Sequence, residues 1–436
     1  MKKIIPGTLV AAILTLAACG GTESLEPAQD EREVQGKADT HGGSISTAKP
    51  HAFELSAMKT VAGLGAKSIA DKKTAVGQAT DRLVKWIGKL PYVKLLVGTN
   101  GMERLDFPPI DRDMDGSPDE VAQKLELSFP TDPWFLYLAD RARGLALRWS
   151  VVVYTDGDAL KVALGVPDTF IRLYFRGEPH LPLLRSWGRW DHRRMRDLVH
   201  IALKGDGFNT RLDQSLPGTE LSEATIKTVE SQLGPLTAES IAPSLTLDGK
   251  SVTVAQVVGA IEAAFTAKRV PDLDGDGDVD AQDQSVLPAA MQSYLSGQMS
   301  QAQLSAMMGQ GVSLWNNGLT FQQWANPRTL SVGSVQVVEL CQPFYASTAL
   351  GTGLHHIPSM PCAVSVWQEG NKVRVNVLDP VVIFAYFFRD AGPTMPPAMQ
   401  QLFALFPSFV FNEMAGVVNA AMADLGVKPR LVLHPL

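Results

Sequence analysis

Cysteine is nearly absent, with three residues in 436, at positions 19, 341 and 362. So few exclude a disulfide-dense scaffold and leave one pair at most beyond Cys19. An excess of basic charge is missing too. The chain has 39 Lys and Arg against 45 Asp and Glu, a formal charge of −6, which argues against a general nucleic-acid binder. Beyond the first twenty residues no run of 18 uninterrupted apolar residues occurs, so no later segment reads as a membrane span. Enzyme signatures are also wanting. There is no G-x-S-x-G, no H-E-x-x-H and no C-x-x-C. Gly249-Lys250-Ser251 imitates the end of a P-loop, but Ser244 stands where its first glycine belongs. Catalytic residues need not be neighbours in sequence, so an enzyme with a dispersed site stays open beside a non-catalytic binding protein.

What is present begins with MKKIIPGTLVAAILTLAACG. Lys2 and Lys3 make a positive start, and Ile4 to Leu16 make a short apolar stretch, the pattern of a secretory signal. Leu16-Ala17-Ala18-Cys19 resembles the lipobox of bacterial lipoproteins, which implies cleavage of residues 1–18 and a diacylglycerol on the Cys19 thiol. Several acyl chains anchor stably where one does not. The expected location is the cell envelope, with the membrane as a partner through the lipid. Gly20, rather than an aspartate, favours the outer over the inner membrane. Loss of residues 1–18 removes two lysines and no acid, so the charge moves from −6 to −8. Residues 19–50 hold too little apolar surface to offset their ordering entropy and read as a flexible tether.

The remaining chain is long for one ordinary domain, so internal repeats come first. A shift of 213 residues aligns the segment from Leu125 with the segment from Val338 without a gap. Ten of the 51 positions from 126 to 176 are then identical, among them Glu126/Glu339, Pro130/Pro343, Gly157/Gly370, Pro167/Pro380 and Arg176/Arg389. Composition alone would supply roughly three. Each segment reads as a short strand, a helical stretch, a hairpin around TDGD or QEGN, and a helix after the shared proline. The expectation is an α+β fold of two tandem repeated units, at 51–235 and 236–436. Each would be a small antiparallel-rich sheet with helices on one face, with helical insertions added. The Gln- and Met-rich stretch before Val338 supplies the largest insertion, and its methionines read as core filler.

The second segment is similar to domain-of-unknown-function family 302. The residues that carry the resemblance are Glu339-Leu340-Cys341-Gln342-Pro343, Ala346, Leu350, Pro361-Cys362-Ala363-Val364-Ser365-Val366, Gly370-Asn371-Lys372-Val373 and Pro380. The first segment departs from it, with Ser128 and Trp149 in place of Cys341 and Cys362. The resemblance implies a small α+β domain that pairs, so two units in one chain would form an internal pseudo-dimer. It implies no activity.

The densest chemistry is PDLDGDGDVDAQDQ, residues 271–284. Asp272, Asp274, Asp276, Asp278, Asp280 and Asp283 fall at positions 1, 3, 5, 7, 9 and 12 of an EF-hand-type loop, and Gly277 permits the turn at position 6. The loop resembles that of a dockerin, with Asp for Glu at position 12. Dockerins carry two such loops close together, whereas the next candidate here lies 161 residues away, so no cohesin partner follows. That candidate is Asp111, Asp113, Asp115 and Asp119, with Ala122 at position 12 and Glu120 or Asp106 as substitute ligands. Calcium, held structurally as a clip, is the expected cofactor.

Cys341 ends one strand and Cys362 begins the next, so an envelope disulfide is expected. The alternatives are a Cys2His2 site with His355 and His356, and a redox pair. Arg185, Arg189, Arg193 and Arg196 form a helical stripe near Trp187 and Trp190. It reads either as a solvated face beside a buried aromatic edge or as an anion contact with lipid headgroups or an acidic polymer, with a protein or an anionic ligand as the candidate partner. The working expectation is a calcium-binding, non-catalytic envelope lipoprotein that binds an unknown ligand or partner. The alternative is an envelope hydrolase or redox enzyme with a site near Cys341 and Cys362.

Overall fold

Valine-rich alternation makes strands because branched side chains pack well on a pleated, buried surface. The structure, a computed structural model, describes residues 50–107, 109–110, 119–139, 141, 149–216, 219–266, 298, 327–340, 349–350, 354–359, 362–389 and 397–434. The first seven strands are β1 (Phe53–Thr60), β2 (Lys94–Leu95), β3 (Leu105–Asp106), β4 (Ala122–Ser128), β5 (Trp149–Asp156), β6 (Ala159–Gly165) and β7 (Gln214–Ser215). Five more follow: β8 (Ser244–Asp248), β9 (Arg328–Val332), β10 (Val335–Leu340), β11 (Cys362–Glu369) and β12 (Lys372–Val377). Helices of the earlier part are α1 (Ile69–Ile87), α2 (Asp132–Leu138), α3 (Pro167–Tyr174), α4 (Leu181–Leu203) and α5 (Glu223–Leu233). Those of the later part are α6 (Ala238–Ile241), α7 (Val254–Thr266), α8 (Pro380–Phe387) and α9 (Pro397–Asp424).

The strands form two antiparallel sheets, so the protein is mixed α+β. One runs β2-β4-β5-β6-β1-β7, with β3 also on β4; the other runs β8-β12-β11-β10-β9. Both expected hairpins are present. Gly157 and Gly370 turn them with φ of 57° and 58°, a left-handed conformation that side chains disfavour. The 213-residue offset carries one ladder onto the other. Ala122 pairs with Tyr154 as Val335 pairs with Trp367, and Leu127 pairs with Trp149 as Leu340 pairs with Cys362. Asp156 pairs with Ala159 as Glu369 pairs with Lys372. On the far side β1 lies against β6 as β8 lies against β12, with Met58 on Lys161 and Thr246 on Arg374. Both ends of α3 and α8 are likewise 213 residues apart.

Helix packing follows the same plan. α4 packs on α1 and α3, while α9 packs on α7 and α8. Gly188 allows the closest of these approaches, because a Cβ there would stand 2.6 Å from Ile171 Cδ1 and 3.1 Å from the Asp168 backbone nitrogen. α1 covers β4 and β5, and α7 covers β10 and β11. Residues 151–155 and 363–367 are nevertheless buried without alternation, so both faces of the central strands are covered. The second cover comes from the other half of the chain. The 3-10 helix Leu354–Ser359 packs on β5 and β6, and Phe387 meets Phe53 and Phe170 with ring centroids 5.4 and 5.3 Å apart. From Pro50 onward the chain is one compact unit. Among the described residues no helix is long and apolar enough to cross a membrane.

Candidate functional site

Strand alternation puts Arg328 and Glu339, ladder partners on β9 and β10, on the face of their sheet turned away from α7. Thr329, on the opposite face, is hydrogen-bonded to Glu262 of α7. Lys124 and Glu126 share a face of β4 by the same rule. The two faces meet at Arg328. Its Nη1 lies 3.1 Å from Glu339 Oε2 and 3.7 Å from Glu126 Oε2, and its Nη2 donates to the Leu96 carbonyl at 2.8 Å. Lys124 Nζ is 3.0 Å from Glu126 Oε1. All four side chains are at most 2% exposed, so among the described residues two cations and two anions gather in the interior. Around them the loop after β2 lies along β9. Thr99 N–H donates to the Thr329 carbonyl at 2.9 Å, and Asn100 Nδ2 donates to the Pro327 carbonyl at 3.2 Å. Gly98 lets the Arg328 stem pass, since a Cβ there would come within 2.8 Å of Arg328 Cγ.

A second cluster lies at the start of α2. Asp132 Oδ2 accepts the Phe129 N–H at 2.7 Å, and its Oδ1 accepts the Trp149 indole N–H at 3.0 Å. Asp191 of α4 accepts the Thr131 hydroxyl at 3.0 Å. Both carboxyls are fully buried. Burial pushes Asp132 up to about 7, against the opposing hydrogen bonds from Phe129, Ser128 and Trp149. Burial, and then the neighbouring Asp132 charge, push Asp191 up to about 9. The two therefore release protons as a coupled pair. Perturbed acids often mark active sites, but this pair is sealed from any substrate and joins α2, β5 and α4. Another buried acid behaves oppositely. Burial alone would raise Glu54, yet His192, His51 and Arg196 outweigh it and hold the carboxyl well below the usual range.

Asp272, Asp274, Asp276, Asp278, Asp280 and Asp283 lie outside the described residues, as do Asp111, Asp113, Asp115 and Cys19. Asp119 is described and half-buried. Beside it Ile110 and Glu120 exchange backbone hydrogen bonds of 2.8 and 2.9 Å. Glu120 spends Oε1 on the Gly157 N–H at 2.7 Å, and Asp106 takes a hydrogen bond from Gln123. Among the described residues no three His, Cys, Asp or Glu side chains gather to share a metal. Cys341 is outside the described residues, and Cys362 is paired in the ladder with Leu340, one residue before it. His356 is buried with its ring 4.0 Å from that of Phe388. The arginine stripe on α4 is partly matched within the fold. Arg185 and Arg189 both reach Asp168, and Arg196 bridges Glu54 and Asp213.

Lys124, Arg328, Asp132 and Asp191 escaped the sequence reading. Glu126/Glu339 was visible as an identical pair, and a charged residue inside an alternating apolar run was the available signal for Lys124. Asp191 was hidden among five arginines between 185 and 196.

Fold and seam together define the class: a mixed α+β protein whose two antiparallel sheets are joined through buried ions. Residues 313–404 match the family described as Domain of unknown function DUF302. That stretch holds β9 to β12 and α8, where the sequence resemblance was noted. No curated protein and no solved structure matches the chain.

Proposed function

We propose that this chain is a calcium-binding lipoprotein of the cell envelope, non-catalytic, in which two copies of one α+β unit pair as an internal dimer and bind a ligand or partner. The observation that carries the reading is the common ladder register at a constant offset of 213, together with Arg328 lodged between Glu126 and Glu339, the same position in each unit. The buried charges are spent on joining the halves. The acids with raised proton affinity, Asp132 and Asp191, are fully buried and so out of reach of a substrate. Both points favour a binding protein over an enzyme. The lipid on Cys19, outer-membrane sorting and a Cys341–Cys362 disulfide belong to the same proposal. The disulfide requires the chain to leave the ladder at 341, because Leu340 already occupies the position opposite Cys362.

Calcium in the 272–283 loop acts as a clip, since a closed-shell ion with its coordination filled by carboxylates offers no redox chemistry. The experiment is a thermal melt in calcium and in chelator. Calcium is expected to raise the melting temperature, and Asp272→Ala or Asp276→Ala to abolish that rise. An unchanged melting temperature in the intact protein rules out the clip.

A further inference from the structure

Ser365, Trp367 and Asn376 share the inner face of the second sheet with Arg328 and Glu339. Ser365 is paired directly across from Asn376, and Trp367 follows two residues along β11. All three are buried, at 0, 3 and 1% exposure. Ser365 Oγ, Trp367 Nε1 and Asn376 Oδ1 nevertheless make no hydrogen bond among the described residues. The Asn376 amide nitrogen is engaged, donating to the Ala242 carbonyl at 2.7 Å, which leaves its oxygen as an acceptor. An unsatisfied buried polar group is destabilising, so three on one face need an explanation. The corresponding residues of the first sheet show that the fold does not require them: Val152, Tyr154 and Ala163 stand there.

We propose that these three side chains form a binding site for a small uncharged molecule bearing both a hydrogen-bond acceptor and a donor, such as an amide or a polyol. Trp367 donates to it, Asn376 Oδ1 accepts from it, and Ser365 between them does either. The walls of the site are apolar, from Val335, Val337 and Ala363, each at most 1% exposed. The adjacent cation, Arg374, is already paired with Glu369 at 2.7 Å, which selects against a charged occupant. Ser365 and Trp367 are two strand residues apart, roughly 6.8 Å along the backbone at ~3.4 Å per residue, a span that suits a molecule of several heavy atoms.

This inference rests on the reading of the chain as a binding protein and gives its ligand a class. The test is NMR of the 15N-labelled full chain, titrated with acetamide and with glycerol. Trp367→Phe identifies the Trp367 indole N–H among the eight tryptophans. Saturable movement of that resonance with either probe is expected, while that of Trp149, held by Asp132, stays in place. Ser365→Val with Asn376→Ala, the residues of the first sheet, should abolish the movement. Because Asn376→Ala also removes the hydrogen bond to the Ala242 carbonyl, stability is read on Ser365→Val alone, whose melting temperature should be equal or higher. An unmoved Trp367 resonance overturns the proposal. So does a shift that survives the double substitution, or a substantial fall in the melting temperature of Ser365→Val alone, which would mean that its hydroxyl was already satisfied. The calcium-dependent rise in melting temperature should persist in the double variant, so failure here is separable from failure of the clip.

Discussion

Arg328 illustrates what a single buried charge does in this fold. Its guanidinium touches Glu339 on its own sheet, Glu126 on the other and the Leu96 carbonyl together. Removing one member of a buried ion cluster leaves the others uncompensated, at a cost of ~3–5 kcal/mol. Arg328→Ala is therefore expected to lower the unfolding free energy by that much, read as a fall in the urea midpoint. Arg328→Met combined with Glu339→Leu should cost less than the single change, since apolar replacement of a whole pair is often tolerated. A single variant as stable as the parent would refute the seam. The Asp132–Asp191 pair makes a prediction with a defined sign. Both acids have their proton affinity raised by burial, so the fold favours their neutral forms. Their contribution is complete below the ordinary aspartate value and is lost as pH rises through about 7 and about 9. Melting temperature should fall between pH 5 and 9. Asp191→Asn should flatten that decline and raise the melting temperature at pH 8. An identical pH profile in the variant would remove the pair from the account. Glu54 does not mask this window, because its depressed affinity confines its titration to lower pH.

Elements were more legible than residues. The runs flanking Gly157 and Gly370 alternate, are valine-rich and surround turn residues, and each of these local signals specifies the same hairpin. The prolines at 167 and 380 stand at the first turn of α3 and α8, where a missing N–H costs nothing. β2 and β3 were not legible. Two-residue strands carry no periodicity, and they exist because β4 presents an edge for them to pair with. The seam was invisible for a related reason. Arg328 opens β9 and meets Glu126 across 202 positions of chain, and only the folded topology makes them neighbours. Gly188 gave no signal of its role in the sequence, because only the fold brings Ile171 and the Pro167–Asp168 backbone against it at the α3–α4 crossing. Gly188→Ala should destabilise by ~1–3 kcal/mol through overpacking against Ile171 and the Pro167–Asp168 backbone. Adding Ile171→Val should recover part of that loss in denaturation. No recovery would mean that the backbone contact, rather than the side chain, sets the cost.

At the scale of the whole molecule, the two sheets are too interdependent to be independent beads on a string. The first sheet would lose the cover of the Leu354–Ser359 helix over β5 and β6, and the second would lose the carbonyl and carboxylate that meet Arg328. Phe53 and Phe170 would be stripped of Phe387. Each half alone would also expose central strands that are now buried on both faces, a surface prone to aggregation. Residues 51–235 and 236–436, produced separately, are therefore expected to be unfolded or aggregated. Produced together, they should assemble into a one-to-one complex. A tag on one half and co-purification of the other, followed by size-exclusion chromatography and a thermal melt, measures this. Arg328→Ala in the later half should weaken the complex more than Gly188→Ala in the earlier one, because only the first touches the seam. Two halves that each melt cooperatively as separate monomers would show that the buried ions and aromatic contacts decorate the junction without determining it.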